Sequence, residues 1–88
     1  MLQNKLFEYG KLKGTIYDFE YENDILPMHS HDIDTIHITV VARGSFKTSG
    51  NGWELIVKSG DVLDWKLHDP HEFVALEPNS RIVNIQKG

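Results

Sequence analysis

Hydrophobic and polar residues alternate along this chain with a period of two, and a helical period of 3.6 is sustained nowhere. Residues 13–22 put Tyr17, Phe19 and Tyr21 on one face of an extended segment and Asp18, Glu20 and Glu22 on the other. Asn23-Asp24 then reads as a turn. Residues 25–31 predict a second strand with Pro27 near its start, which suits an edge or a bend because proline donates nothing to a ladder. Residues 35–43 predict the strongest strand, rich in β-branched side chains, and Gly44-Ser45 breaks it. Strands over 46–48 and 53–57 flank Ser49-Gly50-Asn51-Gly52, a hairpin signal, since Asn and Gly tolerate positive φ. Ser59-Gly60 leads into a strand over 62–65, and Asp69-Pro70 marks a loop. Pro78-Asn79-Ser80 joins the last strands, over 71–76 and 81–86. Roughly seven to nine short strands in one domain predict a sandwich or a barrel.

Composition narrows the chemistry. With 88 residues the chain makes one domain. A domain of this size buries only about 60–65% of its unfolded surface, so a metal or a second subunit would add to a thin margin. There is no cysteine, which excludes disulfides, thiolate metal sites and cysteine nucleophiles and leaves His, Asp and Glu as ligands. The net charge is −4, and the nine Lys and Arg residues form no basic stripe, so nucleic acid is not an expected partner. Nor is there a helix pair of the kind a transcription factor uses. The apolar stretches are too short to span a membrane, and Glu8 falls where a signal peptide needs an apolar run. A soluble, cytoplasmic protein is expected.

All five histidines lie between positions 29 and 71. His29 and His31 are two apart and share a strand face, and His37 keeps their parity if the strand runs on without a bulge. Imidazole is a ligand for zinc, nickel, copper and iron, but an isolated H-x-H also suits an exposed polar strand face. The spacings around these residues add to the argument. Residues 23–44 resemble the first motif of the cupin superfamily: a glycine, five residues, H-x-H, a glutamate three or four residues on, and a glycine six residues after it. Asn23 stands at the leading glycine, as the next-best residue for a left-handed turn, and His37 stands in the glutamate slot counted back from Gly44. Residues 60–75 resemble the second motif without a gap, with Gly60 at its leading glycine and His71 at its metal-binding histidine. Five residues separate His31 from His37, one more than the family pattern, and Lys66, His68 and Ala75 replace its usual Pro, Gly and Asn.

The resemblance implies an all-β protein, a single cupin-type β-barrel (double-stranded β-helix or jelly roll) over residues 1–88. It implies a divalent transition metal (Zn, Ni, Fe, Cu or Mn) on His29, His31 and His71, with His37 as a fourth ligand. His37 has a second reading, as a histidine behind the ligands or lining the pocket. Four imidazoles would favour zinc, nickel or copper over manganese or magnesium. Asp32 and Asp34 are the fallback oxygen ligands should the extra residue form a bulge. His68 reads as a solvated loop residue and Glu72 as a surface charge.

If the histidines point inward, parity turns Thr39 and Val41, and Phe73 and Ala75, the same way. Thr39, Val41, Phe73, Trp65 and Tyr17 are then the expected pocket-lining residues, with Tyr21 and Trp53 as further aromatics; each aromatic also fits ordinary core packing. No Asp or Glu is clearly placed beside the histidines, and Asp61 and Asp64 have no settled facing. Such a pocket suits a small oxygenated organic ligand, such as an organic acid, a keto-enol compound or a sugar fragment. Two functions stay open: metal-dependent chemistry of the dioxygenase or isomerase type, or a non-catalytic binding or sensing module with a structural metal. Ile36, Ile38, Val40 and Ala42, with Val74 and Leu76, would face outward, and a homodimer is the simplest cover for them. Residues 5–11 are a candidate strand for the partner's sheet edge.

Overall fold

The computed structural model describes residues 1–30, 36–66 and 68–87. They form β1 (Leu2–Tyr9), β2 (Leu12–Phe19), β3 (Ile25–His29), β4 (Ile36–Arg43), β5 (Ser45–Gly50), β6 (Trp53–Lys58), β7 (Val62–Trp65), β8 (His71–Ala75) and β9 (Ser80–Lys87). Two antiparallel sheets face each other, in the orders β1-β2-β9-β4-β7 and β3-β8-β5-β6. From β3 onward the chain repeatedly crosses between them, which makes a double-stranded β-helix, as expected.

The predicted strands are present with shifted ends. The first stops at Phe19 rather than at residue 22, leaving Tyr21 exposed. Asn23 adopts a φ of 73°, the left-handed conformation expected of it at the leading glycine position. His68 has a φ of 65° at the glycine slot of the second motif and is exposed in a turn. Asn51-Gly52 closes the β5–β6 hairpin, with Gly50 opposite Trp53.

Strand β1 was not expected within this domain. Its residues are mostly exposed, so it lacks the alternation that marks a half-buried strand. It pairs with β2 of its own chain along its whole length, from Leu2↔Phe19 to Tyr9↔Leu12, and forms one edge of the larger sheet.

Register explains how the site end of the barrel differs from the other. Cα partners in one row share a face. On the inner face of the larger sheet, Phe19 and Ser80 share one row, Tyr17, Ile82 and Val41 the next, Thr15, Asn84 and Thr39 the next, and Lys13, Gln86, His37 and Trp65 the last. The smaller sheet runs in step: Phe46 with Ala75, then Leu26, Phe73 and Thr48, then His29, His71 and Gly50. The barrel is therefore apolar at one end and turns polar towards the histidines. Phe46 packs edge-on against Phe19 and Phe73, at ring-centroid distances of 4.8 and 5.9 Å. The closing glycine of the first motif has a packing reason: at Gly44 (φ 82°) a Cβ would lie 2.1 Å from the Ser80 hydroxyl.

Candidate metal centre and ligand cavity

His29 reaches the inner face through an irregularity. Leu26 pairs with Phe73, but His29 pairs with His71, so β3 carries one residue more than β8 between these two pairs. Without that bulge, the odd spacing between Leu26 and His29 would put them on opposite faces. Pro27 and Met28 occupy the bulge on an edge strand, where a missing amide donor breaks no ladder.

His29 and His71 lie side by side with ring centroids 4.4 Å apart, and His37 and His71 lie 6.4 Å apart. His71 is fully buried, His37 nearly so, and His29 half-buried. The Nδ1 of His29 is 2.8 Å from the Pro27 carbonyl, and that of His71 is 2.9 Å from the Asp69 carbonyl. A carbonyl only accepts, so in each neutral ring Nδ1 carries the proton and Nε2 the lone pair. Tying one ring nitrogen to a carbonyl is how metal-binding histidines are oriented.

Inward-facing imidazoles are the donor type that zinc, nickel, copper and iron take. Imidazoles about 2.1 Å from one ion put ring centroids roughly 4.5–6.5 Å apart as the angle between them opens. The His37–His71 spacing of 6.4 Å lies inside that range and the His29–His71 spacing of 4.4 Å just below it. His31, Asp32 and Asp34 lie outside the described residues, and among the described residues no three His, Asp or Glu side chains form a metal-holding group.

Trp65 backs this cluster. Its indole stacks on His71 at 3.9 Å and 7°, and Trp53 stacks on Trp65 at 6.0 Å and 26°. Gly50 makes room for the stack, since a Cβ there would come 2.3 Å from the Trp53 indole nitrogen. Trp65 Nε1 donates to Thr39 Oγ1 at 2.8 Å, and Thr39 Oγ1 donates to Asn84 Oδ1 at 2.5 Å.

A cavity of about 360 Å³ opens beside the histidines. It lies against the β1–β2 ribbon at one edge of the larger sheet. His29, His37 and Tyr17 line it, as do Asn84 and Gln86 of β9. Leu6, Glu8, Lys13 and Thr15 complete the inner wall of the ribbon. His71 is buried behind His29. Of the expected pocket-lining residues, Tyr17 alone is on the cavity wall among the described residues. Thr39, Val41, Phe73 and Trp65 are buried in the core behind the histidines. Asp61 caps the turn before β7 by accepting from the Lys58 amide, and Asp64 is exposed on the outer face.

Sequence reasoning missed Glu8, Lys13, Asn84 and Gln86. In residues 81–86, Val83 and Ile85 alternate with Asn84 and Gln86, which ordinarily puts the amides outside. Here the amides face inward because the cavity end of the barrel is polar.

The fold and the inward histidines define a cupin-type barrel, the class that the two motifs suggested. No family profile and no curated protein matches the chain, but solved structures do. KdgF from Halomonas sp. is 24% identical, with a TM-score of 0.85 over 98% of this chain and 77% of that one. An RmlC-like cupin protein from Desulfovibrio desulfuricans is 23% identical, with a TM-score of 0.85 over 98% of this chain and 81% of the other. A Cupin 2 conserved barrel domain protein from Salinispora arenicola is 13% identical, with a TM-score of 0.81 over 99% and 76% of the two chains. At these identities the likeness is one of fold.

Proposed function

We propose that this cupin-fold protein holds a divalent transition metal on His29, His31, His37 and His71 and binds, or acts on, a small oxygenated organic ligand in the adjoining cavity. The observation that carries this reading is the placing of His29 and His71 on neighbouring strands, rings 4.4 Å apart, each with Nδ1 against a backbone carbonyl. A bound metal of this kind would supply Lewis-acid polarisation of a ligand oxygen. Around it, Tyr17, Asn84 and Gln86 would contact the ligand from the cavity wall.

Metal analysis and native mass spectrometry of the purified protein test this reading. One transition-metal ion per chain is expected, lost in His71→Ala, with a lower melting temperature after chelation. Metal-free protein that takes up no zinc, nickel, copper, iron or manganese would refute it.

We also propose a homodimer in the cytoplasm, built on the outer face of the larger sheet. Ile16, Val83, Val40 and Val62 form one row there, and Ile85 and Ile38 belong to the next. Val62 is exposed, as is Ile36 at the end of β4. Full burial of an exposed Val or Ile side chain contributes about 1.5–3 kcal/mol, and the half-buried ones contribute less. Ile38→Lys should give monomer in sedimentation, and a wild-type monomer at high micromolar concentration would refute the dimer.

A further inference from the structure

The cavity wall contributed by β2 and β9 has a one-sided hydrogen-bonding character. Asn84 is 94% buried yet lines the cavity. An indole N–H can only donate, so Trp65 occupies Thr39 Oγ1 as an acceptor and the threonine proton goes to Asn84 Oδ1. This relay assigns the Asn84 amide: its oxygen is engaged in the core, and its Nδ2 hydrogens are what the side chain offers to the cavity. Gln86 lies two residues further along the same inner face, half-buried, in the row of Lys13 and His37. Among the described residues Lys13 has no carboxylate within ion-pair distance, and neither Gln86 nor the Asn84 Nδ2 has a hydrogen-bond partner.

We propose that Asn84, Gln86 and Lys13 form a subsite for the carboxylate of a small organic acid. The subsite deepens the small-ligand reading of the cavity and rests on it, but it does not depend on a bound metal. Amide hydrogens and an ammonium supply charge-assisted hydrogen bonds to a carboxylate, which itself only accepts. Glu8, the other charged group on this wall, pairs in register with Lys13 from the far side. An anion over β9 is therefore about 4.8 Å, one strand, from Lys13 and about 10 Å, two strands, from Glu8. The second distance is about a Debye length in physiological salt, so the attraction outweighs the repulsion. His29 and His37 close the opposite side, where they would meet the remainder of the ligand.

The test is a titration of the protein, both chelated and zinc-loaded, with pyruvate and with its neutral amide, pyruvamide, followed by the side-chain amide resonances of Asn84 and Gln86. Pyruvate should shift both resonances in both forms of the protein and bind roughly tenfold or more tightly than pyruvamide. Lys13→Met, on an exposed side chain, should weaken pyruvate up to about fivefold and leave pyruvamide unchanged. Asn84→Asp keeps an acceptor for Thr39 but removes the donor, and should weaken pyruvate roughly tenfold or more. Gln86→Leu should weaken it in the same direction and carries the test should Asn84→Asp fail to fold. Equal binding of pyruvate and pyruvamide, no shift at either amide, or unaltered pyruvate affinity in Lys13→Met and Gln86→Leu would overturn the subsite. Protein that takes up no metal but still shows the pyruvate shifts would sink the metal reading and leave the subsite standing.

Discussion

Thr39→Val replaces a fully buried hydroxyl with a methyl of nearly the same shape and breaks the relay at its centre. Two groups lose partners at once. The Trp65 indole N–H becomes a buried donor with no acceptor, at a cost of about 1–3 kcal/mol. The Asn84 carbonyl oxygen loses its donor, at about 0.5–1.5 kcal/mol. The new methyl returns about 0.8 kcal/mol of apolar burial. The net loss is about 0.7–3.7 kcal/mol. Thr48 supplies the control. It is equally buried, on the facing sheet, but its hydroxyl only donates, to the Glu72 carbonyl at 2.9 Å. Thr48→Val strands no donor, so its cost should stay below about 1 kcal/mol. Urea unfolding of the two variants reads the difference, and in a domain of this size each kcal/mol is about 4–8 °C in melting temperature. Thr39→Ser, which keeps the hydroxyl, should behave normally at the cavity apart from the lost methyl. Equal destabilisation by Thr39→Val and Thr48→Val would refute the relay and, with it, the assignment of the Asn84 amide.

Three further outcomes are expected. His37→Ala should weaken zinc or nickel binding, measured by competition with a chelator, about as much as His29→Ala does; a loss of only 10–100-fold would move His37 behind the ligands, and no loss would remove it from the site. Gly44→Ala and Gly52→Ala start from the same φ of 82°, but only at Gly44 would the new Cβ meet Ser80. The first should therefore cost about 1–3 kcal/mol more in urea unfolding, and equal costs would mean that Ser80 yields without strain. The hydrogen bond from Arg81 chiefly holds the Asp18 carboxyl below its ordinary pKa, with the charges of Arg81 and Arg43 adding to it. A carboxyl held low stabilises the fold above its unfolded pKa, near 4, and loses that contribution as pH falls through its folded value. Asp18→Asn should thus lower the pH 7 urea midpoint while flattening the fall below pH 4, by no more than about 1 kcal/mol because the pair is more than a third exposed. An identical acid limb in the variant would count against the pair.

Much of this molecule was legible along the chain because local rules were enough to read it. Period-two alternation located β2 through β9 to within a few residues, since strands buried on one face repeat every second position. Turn chemistry located Asn23, Gly44 and Gly60, because only residues tolerant of a left-handed backbone hold those corners. The two motif spacings brought His29 and His71 into one argument, and the parity of His37, Thr39 and Val41 matches their burial. Other features depended on which strands become neighbours. Strand β1 carries almost no buried residues, so its place is decided by pairing with β2 rather than by its own pattern. The bulge that turns His29 inward appears only when β3 is set against β8. Asn84 and Gln86 gave no signal along the chain and become cavity wall only through the pairing of β9 with β2 and β4. Sequence alone determined the strands, the turns and the inward parity of His37, because those follow from backbone geometry over a few residues. Tertiary structure decided which polar side chains meet there, because register and sheet order are set by contacts between residues far apart in the chain.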